Sequence, residues 1–477
     1  MRKKQRTERI VLNEIEITDA GSEGKAIARH ENKVIFVVNA VPGDIADVQI
    51  TRNKKDFMEG KAIHFHKLSD KRAEPFCEHF GLCGGCKWQH MQYQYQLFYK
   101  QKQVVDNFTR IGKVEMPEIN TILASERETC YRNKLEYTFS DYRWLTHEDM
   151  KPENREKMNM NALGFHIAQH FDRVLDITKC YLQDEPSNLI RNAVKDFCIE
   201  QGLTFYNPRH HTGYMRNLLV RNTTLDETMV IVVFGEDEPE NQKLVLDHIL
   251  KVYPALTSLM YVINTKHNDI ISDLEIQCYY GNPYITEQLG ALKFRVGPVS
   301  FFQTNSRQAK KMYDIVKQFA HITPDKTVYD LYTGTGSIAN YVAGDAKKVV
   351  GIEYVPAAVE DARVNSVLND IINTEFVAGD MAKILNADFM AEHGRPDIII
   401  TDPPRNGMHP DVVEQLLLAA PERIVYVSCN PATQARDLAL MSELYKLTAV
   451  QPLDMFPHTH HVENITLLEK LEVPKVN

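Results

Sequence analysis

Apolar and polar residues alternate over Arg9–Ile17, and the same period of two returns at Lys25–Ala28, Lys33–Val38, Ile45–Ile50 and Gly60–Phe65. Turn-forming residues separate these runs, at Gly21–Gly24 and at Pro42-Gly43-Asp44. Five short strands packed this densely predict a small closed β-barrel of the oligonucleotide-binding-like kind. A helical period follows over Met91–Arg110. Between Tyr131 and Ile276 the patterns mix. Strands are predicted at Lys134–Phe139, Ala162–His166, Leu218–Asn222, Met229–Phe234 and Ser258–Asn264, and helices at Pro186–Gln201 and Asn241–Tyr253. After Gly297 they alternate: helix Thr304–Phe319, strand Thr327–Leu331, helix Ser337–Ala343, strand Lys348–Ile352, helix Ala357–Asn369 and strand Thr374–Ala378. Later strands fall at Asp397–Thr401, Ile424–Val427 and Ile465–Leu468. Strands alternating with helices predict a parallel sheet covered on both faces. The expected fold is therefore α/β and multidomain: a barrel over 1–68, a central α+β domain over 69–290, and a Rossmann-like domain over 291–477. Part of 91–125 is expected to pack on the last of these.

Length and composition fit that division. The chain has 477 residues, 43% apolar and 25% charged, which excludes a collagen-like or wholly disordered polymer. Its longest apolar runs, such as Val34–Val38 and Ile398–Ile400, are far shorter than the ~18–20 residues that cross a bilayer. Met1–Arg6 is basic but no apolar core follows it, so no secretory signal is predicted and a cytoplasmic location is expected. The net charge of −9 argues against a simple polycation. Residues 1–72 nevertheless hold 15 Lys and Arg against 11 Asp and Glu, a local +4 on an otherwise acidic chain. Such a segment reads either as an RNA-binding appendage or as a solvated face.

Eight cysteines in a chain of this kind read as ligands or nucleophiles rather than disulfides. Cys77, Cys83 and Cys86 cluster among Gly81, Gly84 and Gly85, with Cys180 as the candidate fourth ligand. Zinc and an iron–sulfur cluster both take four thiolates, and the spacing does not choose between them.

The segment Asp330-Leu-Tyr-Thr-Gly-Thr-Gly-Ser lies where a strand becomes a helix, so Gly334 and Gly336 let the backbone approach a ligand. A dinucleotide fingerprint requires a third glycine at position 339, which is Ala. Glu353, at the end of the next strand, is placed to accept from ribose hydroxyls, and Asp380 to meet an adenine edge. This order suits S-adenosylmethionine better than a nicotinamide dinucleotide. Asp402-Pro-Pro-Arg follows an apolar strand, at the edge where such sheets bind ligands. Cys429 ends another strand in Val427-Ser-Cys-Asn-Pro, and Glu463 precedes the last one. A cysteine and a carboxylate at one cleft fit covalent catalysis with a general base.

Phe301-Phe-Gln-Thr-Asn, Asp330-Leu-Tyr-x-Gly-x-Gly, Asp402-Pro-Pro-Arg, Ser428-Cys-Asn-Pro-x-Thr and His461-Val-Glu occur here in order, and this array resembles the RNA uracil-5 methyltransferase family. With the barrel and the cysteine cluster, the chain resembles the branch acting on 23S ribosomal RNA, over about residues 8–470. The resemblance implies a TRAM domain, a central domain with a 4Fe–4S cluster at Cys77, Cys83, Cys86 and Cys180, and a class I methyltransferase domain. It implies cofactor contacts at Gln303, Tyr332, Glu353 and Asp402, a nucleophile at Cys429 and a base at Glu463. The implied partner is RNA, either 23S ribosomal RNA or a large-subunit assembly intermediate, bound by a monomer with neither membrane nor DNA involved. A transfer-RNA uracil-5 methyltransferase and a non-catalytic RNA-binding assembly factor are the alternatives. Arg216 and Arg221 are either solvated or set against RNA phosphates, and Phe80, Trp88 or Tyr93 are candidates to stack a displaced base. Thr333 and Ser337 depart from residues common in relatives.

Overall fold

The computed structural model describes residues 10–155, 158–168 and 170–472, and Met1–Arg6 lies outside the described residues. Two compact units are present, Met1–Gln103 with Phe456–His461, and Val104–Met455 with Val462–Asn477.

In the first unit, strands β1 (Val11–Ala20), β2 (Ala26–His30), β3 (Lys33–Val38), β4 (Ile45–Asn53) and β5 (Phe57–Lys67) close into a barrel of order β1-β2-β3-β5-β4. The alternation seen in the sequence is what closes it. Ile15, Ile17, Ala28, Ile35, Val37, Val48 and Met58 point inward and fill the interior, while their neighbours face out. Beyond the barrel, Trp88 packs with Val41, Met91 and Tyr99 in a small second core and donates its indole N–H to the Gly24 carbonyl (3.2 Å). At 2% exposure it is a core residue, which removes it from the candidates for stacking a displaced base. The Phe456–His461 segment is tied into this unit by its backbone. The amides of Lys87 and Trp88 both donate to the His458 carbonyl, at 2.8 and 2.9 Å, and the His458 amide donates to the Gln96 side chain (2.9 Å). Helix α1 (Tyr93–Asn107) begins in this unit.

The second unit contains a mixed seven-stranded sheet. Its strands are β6 (Lys134–Ser140), β7 (Ala162–His166), β8 (Val174–Asp176), β9 (Met215–Asn222), β10 (Thr228–Phe234), β11 (Ser258–Ile263) and β12 (Gln277–Gly281), in the order β12-β11-β10-β9-β6-β7-β8. Helices α2 (Pro152–Arg155), α3 (Ser187–Glu200) and α4 (Pro239–Val252) accompany it. A hairpin, β13 (Ile285–Leu289) and β14 (Leu292–Val296), leads into the α/β part.

There the elements run α5 (Ser306–Ala320), β15 (Thr327–Leu331), α6 (Ser337–Ala343), β16 (Lys348–Glu353), α7 (Pro356–Leu368), β17 (Thr374–Ala378), α8 (Met381–Ile384), α9 (Ala387–His393) and β18 (Ile398–Thr401). Helix α10 (Pro410–Ala419), β19 (Arg423–Ser428), α11 (Pro431–Met441), β20 (Tyr445–Leu453) and β21 (Glu463–Lys470) complete it. The sheet order is β17-β16-β15-β18-β19-β21-β20, and β21 alone runs against the other strands. Chain direction across the sheet reverses between β15 and β18, and such a switch opens a crevice at the carboxyl ends of the strands. Residues 120–123 run along β20, with the Leu123 amide donating to the Pro452 carbonyl (3.0 Å).

The expected metal domain is corrected. Among the described residues, no group of three or more His, Cys, Asp or Glu side chains is arranged to hold a metal ion, so neither a 4Fe–4S cluster nor zinc is assigned to Cys77, Cys83, Cys86 and Cys180. The glycine-rich spacing instead forms tight turns closed by the backbone: the Phe80 amide donates to the Cys77 carbonyl (3.0 Å) and the Cys83 amide to the His79 carbonyl (2.9 Å). Burial raises the pKa of the Cys83 thiol. Cys180 belongs to the second unit, where the Asn188 side chain bonds both its amide (2.8 Å) and its carbonyl (3.2 Å). The central sheet is thus an α+β layer without a metal assignment. No helix of the described residues is long and apolar enough to cross a membrane.

Candidate active site

Parallel strands end their backbone pairing at one edge, and the residues just past those ends project from it. Tyr332 follows β15, Glu353 ends β16, Asp380 follows β17, Asp402 follows β18 and Cys429 follows β19. Glu463 reaches the same edge from the other direction. Its strand runs antiparallel to β19 with Asn464 opposite Ser428, so the first residue of β21 meets the residue after β19. The register therefore sets Glu463 beside Cys429.

The loop after β15 is built for close approach. Tyr332 adopts a left-handed backbone (φ 63°), as do Gly334 (55°) and Gly336 (74°). A Cβ on Gly336 would stand 2.8 Å from that of Ala362, whereas a Cβ on Gly334 would meet open space. Gly336 thus lets helix α6 pack, and Gly334 leaves a hollow for a ligand. The Glu353 carboxylate accepts from the Gly334 amide (3.1 Å) and the Val355 amide (2.9 Å), which fixes it beside that hollow with lone pairs remaining. Two fixed acceptor oxygens next to an open glycine loop fit a ribose-bearing methyl donor. Asp380 caps α8 through the Ala382 amide (3.2 Å) and pairs with Lys383 (3.1 Å), and these contacts hold its carboxyl below the usual range. Tyr332, pushed up to about 12 by burial and by the charges of Asp437, Asp380 and Glu353, keeps its phenolic proton and remains a donor.

At the centre of the edge, the Asp402 amide donates to the Leu331 carbonyl across the switch point (3.4 Å), and Gln303 donates its side-chain N–H to the Asp402 carboxyl (3.5 Å). Burial, then the nearby Asp330 carboxyl, push Asp402 up to about 7. Asp330 itself is buried and raised to about 7, although the Thr333 hydroxyl and the Ala339 amide (3.0 Å) bond it. Glu463, 5% exposed, is pushed up to about 8 by burial and by Asp402. Cys429 is raised to about 11 by burial, Glu463 and Asp402. Arg405 opposes both of the last two shifts. Burial and like charge thus raise all three acids, Asp330, Asp402 and Glu463, toward neutral pH, a pattern that marks a candidate acid–base site.

Three supporting residues were not singled out from the sequence. Arg405 supplies the positive charge, and its backbone carbonyl accepts from the Asn430 side chain (3.0 Å), joining the Asp402 loop to the Cys429 loop. Asp437, fully buried in α11, holds the same loop through the Met408 amide (2.9 Å) and the Tyr426 hydroxyl (2.7 Å). Asn133 donates to the Gln303 carbonyl (2.9 Å) and to the Thr304 carbonyl (2.8 Å), which fixes the backbone behind Gln303. Only Arg405 carried a visible signal, as a charge directly after Asp-Pro-Pro. Directly after Cys429 helix α11 begins, with the Asn430 side chain capping the Ala432 amide (3.1 Å) and Pro431 in the first turn. Arg216 and Arg221 are neither solvated nor open to phosphate. Both are buried and spend their guanidiniums on backbone carbonyls, Arg216 on Asn264 (2.5 Å) and Arg221 on Ser300 (2.8 Å).

A family model described as tRNA (Uracil-5-)-methyltransferase matches residues 277–471, and a TRAM domain model matches residues 12–63. A protein of Bacteroides thetaiotaomicron described as an uncharacterized RNA methyltransferase is 55% identical over 451 residues, covering 94% of this chain and 99% of its own. One of Porphyromonas gingivalis with the same description is 51% identical over 465 residues, covering 95% and 99%. Among solved structures, the Pyrococcus abyssi tRNA (uracil-54, C5)-methyltransferase in complex with S-adenosyl-L-homocysteine aligns with a TM-score of 0.72 at 26% identity, covering 95% of this chain and 100% of that one.

Proposed function

The chain belongs to the S-adenosylmethionine-dependent RNA uracil-5 methyltransferases and carries a TRAM domain, and we propose that it methylates carbon 5 of a uridine in transfer RNA through Cys429 and Glu463. The observation that carries the choice of RNA is the likeness to the Pyrococcus transfer-RNA enzyme over 95% of this chain, barrel included. The barrel therefore does not mark a ribosomal substrate. The cysteine cluster, the other reason to expect 23S RNA, has no metal assignment.

Carbon 5 of uracil is too weak a nucleophile to take a methyl group unaided. The Cys429 thiolate adds to carbon 6, and the electron pair of the 5,6 double bond passes into an enolate with carbanion character at carbon 5. S-adenosylmethionine supplies a methyl group activated by its sulfonium. After the carbon 5–methyl bond forms, Glu463 takes the carbon-5 proton; that pair restores the double bond and expels the Cys429 thiolate. Arg405 stabilises the thiolate and the Glu463 carboxylate by charge. Glu353 and Tyr332 hold the donor, and Asp402, positioned by Gln303, faces the uracil edge. The uridine leaves its stack to reach Cys429, at a cost of a few kcal/mol that RNA contacts offset.

Mass mapping of transfer and ribosomal RNA, from cells with and without the protein, tests the substrate. Loss of 5-methyluridine from transfer RNA is expected. Loss confined to discrete 23S positions would leave the chemistry intact and return the substrate to ribosomal RNA.

A further inference from the structure

The loop 402–409 carries Arg405, the cation that opposes the raised values of Cys429 and Glu463. Little burial holds its middle: Arg405 and Asn406 are exposed, and among the described residues the Arg405 guanidinium makes no ion pair. The aim of that side chain is therefore set through its backbone. The Arg405 carbonyl accepts from the Asn430 side chain (3.0 Å) and from the Thr433 hydroxyl (3.2 Å), both at the start of α11.

Further along the same helix, Arg436 takes hold of the residues that follow. Its Nη2 donates to the Asn406 carbonyl (3.0 Å) and to the Met408 carbonyl (3.1 Å), on either side of Gly407. The guanidinium is itself fixed, because Nε and Nη2 stand 2.8 and 2.7 Å from Oδ1 of fully buried Asp437. Gly407 shows how closely the loop is pressed onto this pair. At φ 75°, a Cβ there would lie 2.6 Å from Oδ2 of Asp437 and 2.7 Å from Nη2 of Arg436. Holding two carbonyls and a carboxylate at once needs a planar fork of donors, which lysine, a point charge, does not offer. The charges that face Cys429 are Glu463 from β21, Asp402 from the start of the loop, and Arg405; Arg436 is not one of them.

We infer that Arg436 is a positioning residue for the proposed reaction: it docks the 405–408 backbone on α11 and so keeps the Arg405 guanidinium beside Cys429 and Glu463. Because α11 begins directly after Cys429, the nucleophile and the cation that serves it are carried by one braced piece of chain. The inference rests on the roles given above to Cys429 and Glu463, but its test needs no RNA.

Alkylation of Cys429 by iodoacetamide is followed at pH 9, by mass spectrometry of its peptide, in the full chain, in Arg405→Met, in Arg436→Lys and in the double variant. Each is first checked for a parental melting temperature. The thiolate fraction sets the rate, so both single variants are expected to react about three- to tenfold more slowly, as loss of a nearby cation raises a thiol. The double variant is expected to react no more slowly than Arg405→Met, because the two changes remove one effect. Should Arg436→Lys melt early, Thr433→Val, which removes one bond to the Arg405 carbonyl, takes its place in the same cycle. Parental alkylation in the positioning variant, or a slowing of equal size with and without Arg405, overturns the inference. Methylation of RNA by the parent is scored separately. A parent that methylates no RNA loses the proposed function, while the cycle still reports on Arg436.

Discussion

Gly334 donates its amide to Oε2 of Glu353 across 3.1 Å, so the loop after β15 and the end of β16 are joined at one edge of the proposed donor site. Both groups are needed, because the loop is shaped by its bond to the carboxylate. Glu353→Ala is expected to weaken S-adenosylhomocysteine binding roughly ten- to hundredfold, the equivalent of about 1.5–3 kcal/mol for a hydrogen bond to a charged group. Calorimetric titration of the full chain gives this directly, and an unchanged Kd would remove Glu353 from the site.

In the proposed reaction Cys429 and Glu463 act at opposite ends, so their variants are expected to separate by gel. RNA bearing 5-fluorouracil has no carbon-5 proton to lose, so the parent protein is expected to hold it covalently through denaturing electrophoresis. Cys429→Ala forms no such adduct. Glu463→Gln accumulates an adduct even on ordinary RNA, because the elimination lacks its base. An adduct with Cys429→Ala would send the nucleophile elsewhere.

Burial sets the acid–base state of the site, and Arg405 opposes it. Glu463 is protonated below about 8, so kcat/KM is expected to rise with pH from 6 to 9 as its carboxylate forms. Arg405 lowers both Glu463 and Cys429, so Arg405→Met moves the rising limb to higher pH and slows the reaction at pH 7. A profile that shifts to lower pH would contradict the geometry.

Burying the base also has a thermodynamic signature. The folded Glu463 value, about 8, lies above that of an unfolded glutamate, so its contribution is neutral at low pH and destabilises as pH rises from about 4.3 toward 8. Glu463→Gln removes that ionisation. Its melting temperature should exceed the parent's by more at pH 8 than at pH 5, as calorimetry at the two pH values would reveal. A difference that shrinks with pH would contradict a raised carboxyl.

Periodicity exposed the elements whose faces differ most. The barrel strands alternate cleanly, and the β15–α6–β16 unit carries its own punctuation at Gly334 and Gly336. The hairpin of β13 and β14 was not seen, since Ile285–Leu289 and Leu292–Val296 mix charged and apolar residues in short runs. Strand β20 hides behind Gln451 and Pro452, which lie near its end. At Asn430-Pro431 the same two residues that suggest a loop are those that begin a helix, and only the residues after them decide. The cysteine cluster failed for a different reason: spacing shows that side chains can meet, whereas a ligand set is a fact of three dimensions. Asn133 was missed on the same ground, because it acts on Gln303 and Thr304, distant in sequence.

The polypeptide passes into the first unit at Phe456 and returns at Val462, one residue before Glu463. Neither unit is therefore a continuous stretch of the gene. A fragment ending near residue 103 lacks the six residues whose His458 carbonyl ties down Lys87 and Trp88, and a catalytic fragment starting later carries those six with nothing to receive them. The barrel cannot be exchanged as a cassette. Grafting one from another protein would require rewriting the approach to Glu463, so the barrel unit and the start of β21 are inherited together.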